Sequence, residues 1–213
     1  MVRTPAVTDA TGPSRSFQRT GGAAALVAGI AGFLYSVAFV IVSRVAPDAG
    51  RFLAPLLLVI GGIIGVFALA SLYERLRQTD PGYALVGLLL GVIGAVGSAI
   101  HGAFDLATAL HPPASLPDTP DAVDPRGFLT FGVAGIAILV LSSVMSREAR
   151  FPRALAWLGY VSGTLLVLIY LGRLVILDAT SPLILVPAGL EGFIVNPAWY
   201  LWLGAVLWRG RAA

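Results

Sequence analysis

Four ionisable side chains lie inside long apolar stretches of this chain: His101, Asp105, Arg173 and Glu191. An unpaired charge in hydrocarbon costs about 2.5–3.5 kcal/mol at mid-depth on insertion scales, so residues of this kind are either paired or put to use. A histidine with carboxylates offers acid/base chemistry or ligand binding, and an arginine offers a partner to an anion or a carboxylate. His101 and Asp105 stand at i and i+4, which places both on one face of a helix. The same spacing makes a two-ligand metal face, but no third ligand stands at a diagnostic spacing, so no metal is expected. Tyr170 precedes Arg173 by about one helical turn, whereas Asn196 follows Glu191 at a spacing that a helix of about 3.6 residues per turn puts on a different face. His101, Asp105 and Glu191 are the candidate catalytic groups. Arg173, Tyr170 and Asn196 are the candidate binding groups.

Such residues need long apolar elements to carry them. Runs over 22–45, 52–73, 83–110, 128–146, 154–177 and 183–208 meet the ~20 residues needed to cross about 30 Å of hydrocarbon, the fourth being the shortest. The first run is too long for the apolar stretch of a signal peptide. Residues of the set AVILMFWYC make up 57% of the 213, and charged residues only 12%. A soluble domain carries about 25% charged residues, so a water-facing surface cannot be built from this chain. The expected fold is an all-α integral membrane protein, a six-helix transmembrane bundle. Residues 1–20 form a flexible polar tail, 21–209 the six-span domain and 210–213 a second tail. The 111–126 connection, with five prolines and three aspartates, reads as irregular and exposed.

The charges give the bundle a direction. There is no lysine, and all 14 positive charges are arginines. Alternating sides at each run puts Arg3, Arg15, Arg19, Arg75, Arg77, Arg147, Arg150, Arg153, Arg209 and Arg211 on one side, against Arg44, Arg51 and Arg126 on the other. The positive-inside rule then makes both termini cytoplasmic. Scattered single arginines are not the contiguous stripe that nucleic acid requires. Cysteine is absent, which excludes disulfides, thiolate catalysis and cysteine-held metal clusters, and two histidines are too few for a pair of haems. No cofactor is expected. Heavy use of Ala, Gly and Arg without Lys points to a bacterial inner or plasma membrane.

Small residues mark the packing faces. Gly87, Gly91, Gly94 and Ser98 form one stripe, and its continuation reaches His101 and Asp105. Ala25, Gly29, Gly32 and Ser36 form a second, and Gly159 and Gly163 share a face with Tyr170 and Arg173. Ser36, Ser98 and Ser162 read as packing residues. Counting along the runs places His101, Asp105, Arg173 and Glu191 in the outer half. The short 178–182 connection makes the last two runs neighbours, which suggests an Arg173–Glu191 pair bordering a polar cavity. No phosphate-cradling glycine loop or Gly-x-Ser-x-Gly elbow is present.

Two classes of function fit. One is a site in the outer half of the bundle for a lipid or a hydrophobic or amphipathic small molecule. The other is a non-catalytic scaffold or accessory subunit whose polar residues are structural pairs. A small transporter or channel, assembled as a homo-oligomer, comes third. Membrane lipid is a partner in every case.

Overall fold

The computed structural model describes residues 14–111, 123–176, 178 and 181–210. The polar tail up to residue 13, most of the proline-rich connection and the last three residues lie outside the described residues. What is described is helical almost throughout. Six helices are each long and apolar enough to cross a membrane: α1 (Arg15–Val45), α2 (Pro47–Leu76), α3 (Pro81–Leu110), α4 (Pro125–Met145), α5 (Arg153–Val175) and α6 (Pro182–Arg209).

Local chemistry sets the ends. α1 starts ahead of its apolar run because the Ser14 hydroxyl accepts from the Phe17 N–H, so residues 15–20 are helix and not a flexible tail. Asp80 caps α3 in the same way through Tyr83 N–H. Proline opens α2, α3, α4 and α6, where its missing N–H costs nothing.

Each helix packs on its neighbours in sequence, and α1 also packs on α6, which closes a ring. α2 reaches across the ring to α4 and α6. Small residues make these approaches possible. A Cβ on Gly62 of α2 would stand 2.5 Å from the Ala95 carbonyl of α3, and Gly135 and Gly163 abut each other's carbonyls across α4 and α5. The stripe expected on α3 is an interface: Gly91 faces Leu69 of α2, and Gly94 faces Ala134 of α4. Large apolar side chains such as Ile30, Phe67, Leu89, Ile136, Leu168 and Val186, one from each helix, point outward and are exposed. A soluble monomer rarely carries so continuous an apolar surface, and six such helices are compatible with a multi-pass membrane protein.

The two ends of the ring are built differently. The end formed by the starts of α1, α3 and α5, here the arginine end, holds the contiguous core: Leu69, Leu72, Leu76, Leu141, Met145, Leu155, Trp199, Leu203 and Leu207 among others. Above it, Arg75 is buried at 6% exposure, with its Nε 2.6 Å from Gln18 Oε1 and its Nη2 3.3 Å from the Leu207 carbonyl. Arg150 donates twice to Glu148, at 2.9 Å each, and also to the Arg75 carbonyl. Thr79 donates to Glu148 as well. The Arg150 guanidinium outweighs partial burial and holds the Glu148 carboxyl down at about 2. Arg147 pairs with Asp80 at 3.1 Å. Helices there are regular.

The opposite end is irregular. α1, α4 and α6 each contain a π turn, at Ala38–Val42, Phe128–Val133 and Glu191–Val195, and α2 and α6 carry internal prolines, Pro55 and Pro187. π turns are rare and concentrate at functional sites.

Candidate functional site

The irregular end is where the ionisable residues gather. His101 projects from α3 in the register of the glycine stripe, with Asp105 one turn further on. Its Nε2 lies 3.4 Å from Asp105 Oδ2, and its Nδ1 lies 3.7 Å from Asp124 Oδ2. The histidine is thus flanked by two carboxylates from different elements. Asp105 is 39% exposed at the mouth of the ring, whereas the Asp124 side chain is fully buried.

Asp124 was not legible as a site residue in the sequence, where it counted only as one loop aspartate among three. Its position immediately before Pro125 is the signal that could have found it, since Asp before a proline at the first helical position marks a helix start. It accepts from Leu129 N–H at 2.7 Å, from Thr130 N–H at 3.2 Å and from the Thr130 hydroxyl at 2.6 Å. Burial pushes its carboxyl up, but the His101 contact, the Thr130 hydroxyl and the two N–H donors together bring it down to about 2. The chain can turn back into α4 here because Gly127 adopts φ +78, a left-handed conformation that a side chain would strain. A Cβ at Gly127 would also meet the Phe131 ring and stand 3.2 Å from Arg173 Nη1.

Arg173, near the end of α5, lies over the Phe131 ring with its guanidinium carbon 5.6 Å from the centroid. Tyr170, one turn below, packs its ring on Gly132 and on Phe128, 5.4 Å between centroids. Tyr35 of α1 is within electrostatic reach of both Asp105 and Arg173. α1, α3, α4 and α5 therefore bring Tyr35, His101, Asp105, Asp124, Tyr170 and Arg173 to one end of the ring.

Glu191 belongs to a separate, deeper group. It is 3% exposed and accepts from the Ser162 hydroxyl at 2.6 Å through Oε1, with Asn196 as a further polar neighbour. The expected Arg173–Glu191 pair is not formed. Glu191 is level with Ser162 on α5, and Arg173 is eleven residues further along that helix, roughly 16 Å at 1.5 Å per residue. A guanidinium cannot cover that rise. Asn196 also departs from expectation. It sits near Glu191 because the π turn between them closes i→i+5 hydrogen bonds, which stacks residue i+5 over residue i. Ser162 is more than a packing residue, whereas Ser36 and Ser98 bond only to their own helix carbonyls.

Several buried polar atoms have no hydrogen-bond partner: His101 Nδ1, Glu191 Oε2, Ser71 Oγ, Ser142 Oγ and Trp199 Nε1. Both ionisable members of that set lie away from the arginine end. Among the described residues no group of three or more histidine or carboxylate side chains is arranged to hold a metal ion.

Comparison with family models, with characterised proteins and with solved structures finds no match for this chain.

Proposed function

We propose that this chain is a multi-pass protein of a bacterial inner or plasma membrane, both termini cytoplasmic, that binds an amphipathic small molecule or lipid headgroup at the irregular end of its ring. The observation that carries the reading is the contrast between the ionisable side chains at the two ends. Arg75, Arg147, Arg150 and Glu148 at the arginine end have partners at ordinary distances. At the other end, His101 stands between two carboxylates, its Nδ1 3.7 Å from Asp124 and without a hydrogen bond, and Arg173 and two tyrosines lie at the same end of the ring. That set can meet both an anionic and a hydroxylic group of one ligand, and the apolar outer faces of the helices can take its tail. His101 and Asp105 are placed to exchange a proton with such a ligand, and Arg173 to hold its anion. The orientation rests on the arginines: the end with Arg15, Arg75, Arg147, Arg150, Arg153 and Arg209 faces the cytoplasm.

The test has two arms. A reporter fused after Ala213 reads cytoplasmic and one inserted at Asp118 reads external; the reverse pattern overturns the orientation. Native mass spectrometry of protein extracted in mild detergent shows a bound amphiphile, and Asp105→Asn and His101→Gln lose it, with stability unchanged within about 0.5 kcal/mol for the exposed Asp105. Equal ligand occupancy in wild type and both variants replaces this reading with the scaffold one.

A further inference from the structure

Glu191 is not used by the mouth cluster, and its surroundings are unusual for a carboxyl. Ser162 supplies a hydroxyl to Oε1, Oε2 has no partner, and no arginine or histidine stands within ion-pair distance among the described residues. The titratable groups on the elements packed against it can be named. On α6 itself, Tyr200 is within electrostatic reach. α1 turns Ser36 toward Gly192, while its Tyr35 responds to Asp105 and Arg173 instead. α5 presents Ser162, and its Arg173 is committed to Phe131. An ionised carboxylate in such a place would bear the desolvation penalty with no cation to offset it. The neutral acid bears far less of it, because it carries no charge and its Oε1 keeps the Ser162 bond.

The backbone supports the same view. Glu191 opens the π turn Glu191–Val195, and Pro187 stands one turn before it. The π turn disturbs the α-helical ladder at the carboxyl itself, whereas Pro187 leaves the Leu183 carbonyl, two turns nearer the start of α6, without its usual amide donor.

We propose that Glu191 is a proton-binding site in the interior of the bundle, a carboxyl that takes up and gives up a proton with Ser162 and Asn196 as its immediate surroundings. This rests on the reading of the bundle as membrane-spanning, and makes the interior a place where a proton is held apart from the ligand at the mouth.

The experiment uses a membrane-permeant carbodiimide on membranes containing the full chain. The reagent consumes a protonated acid: the carboxyl oxygen bonds to the central carbon, the acid proton goes to one nitrogen, and nothing leaves. An oxygen-to-nitrogen acyl shift then gives a stable acylurea. Peptide mass spectrometry is expected to find the adduct on Glu191, with a yield that falls about tenfold per pH unit above its midpoint, one proton being involved. Glu191→Gln abolishes it. That variant has the shape of the neutral acid, so its thermal midpoint matches wild type. Infrared spectra are expected to show a carboxylic-acid C=O band in wild type that Glu191→Gln removes. Absence of both adduct and band overturns the proposal, as does a Gln variant that fails to fold, since a structural carboxylate would then be ionised. If the chain fractionates away from membranes, the spanning reading fails, and the adduct and the band still decide the role of Glu191.

Discussion

The arginine end and the histidine end of this ring are made by the same six helices, yet they solve opposite problems. At the arginine end a leucine-rich core sits beneath Arg75, whose guanidinium donates to Gln18 and to the Leu207 carbonyl. Toward the histidine end π turns interrupt three helices, and His101 there and Glu191 deeper in the ring each keep a buried atom without a hydrogen bond. Charge is present at both, so charge alone does not distinguish a structural end from a functional one. The pairing of the ionisable side chains does: Arg75, Arg147, Arg150 and Glu148 are hydrogen-bonded, and the unbonded atoms in that half belong to Ser71, Ser142 and Trp199, whereas His101 and Glu191 are ionisable groups that each leave one buried atom unbonded. Such an atom costs stability that the rest of the fold must supply.

The largest test of this contrast falls on the arginine end. Arg75→Ala leaves Gln18 and the Leu207 carbonyl without their charged donor and opens a void beneath the α1–α2–α6 junction. The expected loss is about 3 kcal/mol, given that hydrogen bonds to charged groups contribute about 1.5–3 kcal/mol. A stability measurement in detergent that finds no change would remove the structural role assigned to this end.

Gly62→Leu probes the α2–α3 seam, which both halves share. The new side chain meets backbone at Ala95 and Ala99, so the loss belongs at the upper part of the roughly 1–3 kcal/mol typical of overpacking. Gly91→Leu is milder, because it meets the far end of the Leu69 side chain, which can turn aside. If both variants are as stable as the lipid-facing change Leu89→Ala, the seam is not a close interface.

The smallest effect is also the most local. Glu148 and Asp124, one at each end, are both held at about 2, below their ordinary values of 4.5 and 3.8. A carboxyl lowered in the folded state contributes stability that is fully present above its unfolded value and is lost as pH falls through the folded one. Acidification from about 4.5 to about 2 should therefore weaken both ends. Hydrogen exchange separates them: the Leu129 and Thr130 amides, which donate to Asp124, lose protection in that window, and Asp124→Asn removes the pH dependence there alone. Glu148→Gln does the same for the Arg150 amide. Protection at Leu129 and Thr130 that ignores acid would mean Asp124 does not hold that turn.

The comparison also shows why parts of the site were legible in the sequence and others were not. His101 and Asp105 could be placed on the inner face of α3 because the glycine stripe leading to them follows the α-helical period. The helix count was equally open to reading, since about 20 apolar residues in a row have few other uses. Asn196 was misplaced by that same period, which fails across a π turn. Arg173 and Glu191 were matched by counting from a short loop, but counting along two helices does not fix how far one is slid past the other.

The sequence by itself therefore determined the six helices, their apolar outer surface and the segregation of arginines, because hydrophobicity and charge are properties of each residue summed along the chain. Tertiary structure alone decided the partners: Asp124 beside His101, Arg173 over Phe131, and Ser162 under Glu191. Those contacts depend on the axial offset of packed helices and on where the helical period breaks. Both are set by close fits between glycines and backbone on different helices, which no single stretch of sequence contains.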